Sequence, residues 1–267
     1  MSQFNKENSI EVSNLSVTYD LDGKSIQAVK NTSFNVPKET MIGIIGETGS
    51  GKSSLIRALN GLIKFPGIVN FDSLNILNEE GLESEFSFNK LRGKDVGFIP
   101  QNPFGSLNPV YKISKQFGFV NKRHNIYDSK VLDSEIDKAL SEVGINDPER
   151  VKSSYSFELS GGMAQRVVIA LATFAKPKLL FADEPTTGLD VTVERQLLDN
   201  FFDFVKNKNM TLVLVTHDLG IVAQYCDVTF VMYKGEIVEN GTVHEIFKNP
   251  RDPYTIQLIK ASSEEIS

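Results

Sequence analysis

The sequence predicts an α/β fold with a mainly parallel sheet, an N-terminal antiparallel β subdomain and an inserted α-helical subdomain. Three observations point to it: short apolar runs separated by helical stretches, two alternating stretches near the N-terminus, and a charged, mostly helical region in mid-chain. The alternating stretches, Ser9 to Tyr19 and Ser25 to Val36, flank the turn signal Asp22-Gly23 and predict an antiparallel hairpin. Met41 to Ile45 is a strand candidate ending at Gly46, and from Lys52 the residues Leu55, Ile56, Leu59 and Leu62 recur at helical spacing. Val96 to Ile99, Leu179 to Ala182, Leu212 to Val215 and Thr229 to Met232 are further apolar runs, each bounded by polar or turn residues as doubly buried strands should be. Between roughly Glu85 and Thr173, Val131 to Val143 and Met163 to Thr173 are helix candidates, whereas polar Asn121 to Asp133 reads as a surface loop. The tail after Gly241 carries Pro250, Pro253 and a short terminal helix candidate. The domain boundaries that follow are 1–84 (β subdomain and first part of the core), 85–173 (helical subdomain), 174–240 (second part of the core) and 241–267 (tail).

Composition narrows the function classes. A chain of 267 residues can bury a sizeable core. With 40% hydrophobic and 23% charged residues and a mean hydropathy of -0.16, neither wholesale disorder nor a polytopic membrane protein fits. The longest apolar run, Val167 to Ala172, is far short of the roughly 20 residues a spanning helix needs. The start, MSQFNKENSIEV, lacks a basic segment followed by an apolar one, so the chain is expected to stay in the cytoplasm. Cys226 is the single cysteine, which excludes an internal disulfide and an all-cysteine metal cluster; it reads as a small buried hydrophobe. A net charge of -6 and a pI near 5.3 are opposite in sign to the footprint of a nucleic-acid binder, and no nucleic-acid partner is expected.

Gly46-Glu47-Thr48-Gly49-Ser50-Gly51-Lys52-Ser53 matches G-x-x-x-x-G-K-S/T between a strand and a helix. Such glycines let successive N–H groups turn toward phosphates, and the helix start adds its positive dipole end. Lys52 is then the contact to the β- and γ-phosphates, Ser53 a Mg²⁺ ligand, and the nucleotide-binding set runs from Gly46 to Ser54. Leu179 to Ala182 delivers two adjacent carboxylates at a strand end, and neighbours on a strand point in opposite directions. Asp183 can therefore hold Mg²⁺ while Glu184 polarises a water for attack on the γ-phosphate.

Leu159-Ser160-Gly161-Gly162-Met163-Ala164-Gln165-Arg166 opens a helix with Ser160 at the N-cap, and with the preceding motifs it resembles the ATP-binding cassette family. The resemblance covers about residues 10 to 260 and implies a P-loop ATPase core. It further implies that Ser160, Gly161 and Gly162 bind the γ-phosphate held by a partner subunit, and that two subunits close head to tail around two ATP molecules. Tyr19 looks like the residue that stacks on adenine, Gln101 like the glutamine that touches Mg²⁺ or water, Leu189-Asp190 like the segment crossing the dimer interface, and His217 like the switch histidine on the γ-phosphate.

Four stretches look like the peptide/nickel importer subgroup: Asn102-Pro103-Phe104-Gly105-Ser106-Leu107-Asn108-Pro109, Met163 in the signature, Asn249-Pro250-Arg251-Asp252-Pro253-Tyr254-Thr255, and EPTTGLDVTV at 184–193. The subgroup implies two integral-membrane permeases, a second ATPase that is identical or not, and an extracytoplasmic substrate-binding protein. It also implies a place on the cytoplasmic face of a prokaryotic cell membrane. Permease contact is expected around Gln101 to Val110, with Phe104 and Leu107 as apolar contacts. Some members carry a cysteine cluster for iron–sulfur binding, but with Cys226 alone no such centre is expected. Phe157 stands where relatives often have histidine. The competing readings are a soluble ATPase of the same family acting on DNA or ribosomes, and an exporter or lipoprotein-release ATPase.

Overall fold

The computed structural model describes residues 7–21, 23–77, 79–80, 85–186 and 191–265. They fall into two compact units, Met1–Lys90 with Thr211–Ser267, and Leu91–Met210.

The first unit opens with β1 (Asn8–Leu21) and β2 (Lys24–Pro37), the expected antiparallel pair, joined from Leu21↔Lys24 to Asn8↔Pro37 with shifts of register between. Asp22 of the turn signal lies outside the described residues. The buried apolar side chains of β1 are Ile10, Val12, Leu15 and Val17, so the strict alternation breaks between 12 and 15. A register shift there, with Asn14 in the left-handed region at φ 52°, absorbs the odd step and keeps both apolar pairs on the core side. After β3 (Met41–Ile45) and α1 (Lys52–Leu59), β4 (Gly67–Asn70) and β5 (Ser73–Ile76) pair antiparallel with β1, and β6 (Glu79–Glu80) with β5. Strands β4 and β5 have no counterpart among the expected elements, because four residues give no usable periodicity. Helix α2 (Glu85–Leu91) closes this stretch.

The second unit begins at β7 (Val96–Ile99) and continues through α3 (Pro103–Ser106), α4 (Ile113–His124), α5 (Leu132–Glu142), α6 (Pro148–Ser153) and α7 (Gly161–Thr173). Strand β8 (Leu179–Asp183) pairs parallel with β7, and α8 (Val191–Asn207) follows. The expected loop Asn121 to Asp133 is corrected in part: α4 runs through Asn121 to His124 and ends at Asn125 in the left-handed conformation. The Asn121 amide clasps Tyr127, accepting from its N–H at 2.8 Å and donating to its carbonyl at 3.1 Å. Tyr127 packs its ring on Phe174, which in turn meets fully buried Phe117 edge-on at 4.9 Å, so polar sequence here builds a specific connection.

The first unit resumes with β9 (Thr211–Val215), α9 (Leu219–Tyr225), β10 (Val228–Tyr233), β11 (Glu236–Thr242), α10 (Val243–Lys248) and α11 (Pro253–Glu265). Strand β3 lies parallel between β10 and β9, and β11 adds an antiparallel edge to β10. Parallel pairs, the antiparallel N-terminal sheet and the helical stretch bear out the predicted fold class. Ile45, Leu219, Val222, Val231 and Ile246 form a buried cluster on which Cys226, Tyr254, Leu258 and Ile259 pack. Burial pushes the Cys226 thiol up to about 12, with Asp227 adding to the shift, so it stays protonated and inert. Among the described residues no helix is long and apolar enough to cross a membrane.

Candidate active site

In parallel α/β sheets, ligands bind beyond the carboxyl ends of the strands, and in the first unit two such ends lie side by side. Ile44 of β3 is paired with Val215 of β9, so Gly46 and His217 leave adjacent strands at the same edge. His217 is exposed, one residue past buried Thr216, and Asp218 caps α9 by accepting from Gly220 and Ile221 N–H groups at 2.7 and 3.2 Å. The loop 46–53 is confined on its outer side. A Cβ on Gly46 would sit 2.1 Å from the Met232 carbonyl oxygen and one on Gly51 2.2 Å from that of Ala28; both residues also have positive φ. Only glycine fits at either position. Gly51 is also the N-cap of α1 and offers no side-chain cap, which leaves the helix start shaped for an anion. Lys52 is 5% exposed, its ammonium donating to the carbonyls of Gly46 at 2.6 Å and Glu47 at 2.8 Å.

Tyr19 is half-buried on β1, opposite Gly67 of β4. A Cβ at Gly67 would come within 2.9 Å of the Tyr19 ring, so a glycine makes room for it, and the Tyr19 hydroxyl lies 3.4 Å from that of Ser54. Gly67 sits on the four-residue strand β4, too short for periodicity to mark its role.

In the second unit the same geometry recurs. Ile99 of β7 is paired with Ala182 of β8, and two residues further along each chain come Gln101 and Glu184. The Gln101 side-chain amide donates to the Glu184 carboxylate at 3.0 Å. Glu184 holds a left-handed φ of 45°, an uncommon conformation for glutamate, which turns the chain sharply as it leaves the strand. Asp183, the last strand residue, is 1% exposed while Glu184 is half-buried, so the two carboxylates face different surroundings. Ser160 is exposed and caps α7, accepting from Met163 N–H at 3.4 Å. Just before it, Phe157 is 69% exposed and stacks on Tyr155. Leu189 and Asp190 lie outside the described residues. One expected contact is corrected: Leu107 is 2% exposed and belongs to the core, while Phe104 is exposed as expected.

The ABC transporter family model matches residues 29–187. The chain belongs to the ABC transporter family. It is 39% identical to the oligopeptide transport ATP-binding protein OppD of Lactococcus lactis subsp. cremoris over 268 residues, covering 98% of this chain and 78% of that protein. It is 41% identical to the dipeptide transport ATP-binding protein DppD of Escherichia coli K12 over 257 residues, covering 96% and 78%. Among solved structures, CbiO1 of Clostridium perfringens, part of the ABC transporter complex cbiONQ, matches with a TM-score of 0.72 at 28% identity and 97% coverage of both chains.

As an ABC family member the chain is an ATPase that binds ATP. Tyr19, the loop 46–54 and His217 lie in the first unit, and Gln101, Asp183, Glu184 and the 160–162 signature lie in the second. Ser53, Gln101 and Asp183 offer hydroxyl, amide carbonyl and carboxylate oxygens, the hard donors that Mg²⁺ takes. The glycine cradle at 46 and 51, which a Cβ would fill, suits the triphosphate that accompanies such an ion.

Proposed function

We propose that the chain is the ATP-hydrolysing subunit of an importer that takes up peptides or a related small solute such as nickel or a metal chelate. The observation that carries it is the likeness of nearly the whole chain to ATP-binding proteins of oligopeptide and dipeptide transport. The pair of ATPase subunits works on the cytoplasmic face of a prokaryotic membrane, against two permeases served by an extracytoplasmic binding protein. Exposed Phe104, Val110, Tyr111 and Phe119 in the second unit support a permease contact there. Tyr111 and Phe119 meet edge-on at 5.0 Å, making a small aromatic surface of the kind partners bury.

The work of the site divides among these residues. Tyr19 stacks on adenine; amides of the loop 46–54 and the Lys52 ammonium hold the phosphates, and His217 steadies the γ-phosphate. Glu184, oriented by Gln101, accepts a hydrogen bond from the attacking water and holds it in line with the γ-phosphate. Ser53, Asp183 and Gln101 would hold Mg²⁺, which would supply neutralising charge at the phosphate oxygens. Ser160, Gly161 and Gly162 address the nucleotide of the second subunit, and closure follows because ATP binds the closed pair more tightly than the open one.

Two measurements test this. Glu184→Gln should lower kcat by about 10²–10⁴-fold while MgATP affinity changes little, since only the water-polarising carboxylate is removed. Hydrolysis at the wild-type rate would remove Glu184 from its role. Purification from gently solubilised membranes should bring down two permeases and a second ATPase; recovery with DNA or ribosomes instead would overturn the importer assignment.

A further inference from the structure

The tail motif around Tyr254 marks a subgroup in the sequence, but the sequence assigns it no task. In the structure its hydroxyl accepts a hydrogen bond from the Glu47 backbone N–H at 2.9 Å. That amide belongs to the peptide whose other face is the Gly46 carbonyl, and the Gly46 carbonyl accepts from Lys52 at 2.6 Å. In a trans peptide the C=O and N–H point in opposite directions within one plane, so fixing the N–H fixes the carbonyl. The peptide is thus held from inside by Lys52 and from outside by Tyr254.

Tyr254 is itself well placed. Its ring stacks on Tyr233 with centroids 4.1 Å apart and planes 23° from parallel. Two residues past Tyr233, the Gly235 N–H donates to the Ser50 carbonyl at 2.9 Å, so the same strand end braces the loop at a second point. The segment before Tyr254 is tied to β11: the Glu239 carboxylate accepts from the Arg251 and Asp252 N–H groups at 2.9 and 3.1 Å. Burial opposes them, but these two bonds and the nearby Arg251 charge hold the Glu239 carboxyl below its ordinary pKa. Asp252 then accepts from the Tyr254 N–H at 2.8 Å and starts α11. Strand, tail and ring stack together deliver one hydroxyl to one loop amide.

We infer that Tyr254 is a positioning residue for the phosphate loop, holding the Gly46–Glu47 peptide so that its carbonyl stays turned to Lys52. The inference rests on the loop being the nucleotide site. When Lys52 exchanges its carbonyl partners for phosphate oxygens, the Tyr254 bond stays in place as the restraint on that peptide. Glu47 is exposed, so water can replace the hydroxyl; what is lost without it is orientation, not a buried hydrogen bond.

The test is Tyr254→Phe, which removes the hydroxyl and keeps the ring on Tyr233. A pre-organising bond acts on ground state and transition state alike, so KM and Kd for MgATP should rise about threefold to tenfold while kcat stays within about twofold. A merely structural role would add the same penalty in any background. Positioning through the Lys52-facing carbonyl instead requires that Tyr254→Phe have no further effect on MgATP affinity once Lys52→Ala is present. Unchanged Kd in the single variant, or fully additive losses, overturns the inference. If Lys52→Ala leaves MgATP affinity intact, the nucleotide-site reading itself fails. Hydrogen exchange of the wild-type Glu47 amide is a readout that needs no variant: protection is expected, and exchange at the free-peptide rate overturns the inference.

Discussion

Lys152 shows how a single side chain can settle what a cluster of acids is for. Its ammonium lies 2.8 Å from carboxylate oxygens of Asp133, Asp137 and Glu149, three groups close enough together to hold a cation. The lysine, 5% exposed, supplies that cation itself. Burial alone would lower its pKa, but the hydrogen bonds the ammonium donates to the three carboxylates, with the Asp137 charge, outweigh burial and raise it above the ordinary value. A raised folded-state pKa contributes stability that is fully present below the unfolded lysine's value and is lost as pH climbs through the folded value. Lys152→Met should therefore be less stable than wild type by about 1–3 kcal/mol at neutral pH, since charge-assisted bonds are lost and their partners are left to water. Urea unfolding across pH should show that gap narrowing once pH passes about 10.5, the ordinary lysine value. A gap constant into strong alkali would mean that the ion pairs contribute nothing and that packing of the lysine stem explains the difference. The sequence could not have shown this cluster, because its acids come from two helices and meet only when those helices pack.

At the scale of elements, the parallel pair β7–β8 converts two sequence motifs into one contact. The register Ile99↔Ala182 sets Gln101 beside Glu184, and the hydrogen bond follows from two residues of chain on each side. The connection after Gln101 divides its apolar residues between two tasks: Leu107 at 2% exposure is core, and Phe104 at 44% is surface. Phe104→Ala should reduce transport severalfold with basal ATPase activity of the isolated subunit held within about twofold, because little burial is lost. Leu107→Ala should instead destabilise by about 2–5 kcal/mol and lower both activities together, as a truncated core leucine does. Equal loss of transport and ATPase in Phe104→Ala would show that its ring is structural. Before folding, Phe104 and Leu107 are two apolar residues in one proline-punctuated segment, and burial is decided by packing that the segment does not encode locally. The phosphate loop was legible for the opposite reason. Its constraints are local, with glycines where a Cβ would strike backbone oxygen and a lysine within reach of the turn it closes. The contact of Tyr254 with Glu47 spans 207 positions and becomes visible only when α11 docks.

At the scale of the whole molecule, an ATP site that needs another subunit's signature makes activity a property of pairs. Ser160 is exposed at the start of α7, and the loop 46–53 lies in the other compact unit of the chain. If the signature serves a partner's nucleotide, Ser160→Arg damages the site on the neighbouring subunit and Lys52→Ala damages the site on its own. In a head-to-tail pair of identical chains, each variant alone is inactive. A mixture forms pairs in which the unaltered loop of one chain meets the unaltered signature of the other. With random pairing, half the dimers are mixed and each mixed dimer keeps one intact site, so ATPase activity should return to about a quarter of wild type. Wild-type specific activity should also rise with protein concentration, since dilution separates the pair. Activity independent of concentration, with no recovery on mixing, would mean that a chain completes its site without a second copy of itself. The same mixing experiment repeated with a non-identical ATPase subunit would then identify which chain supplies the signature.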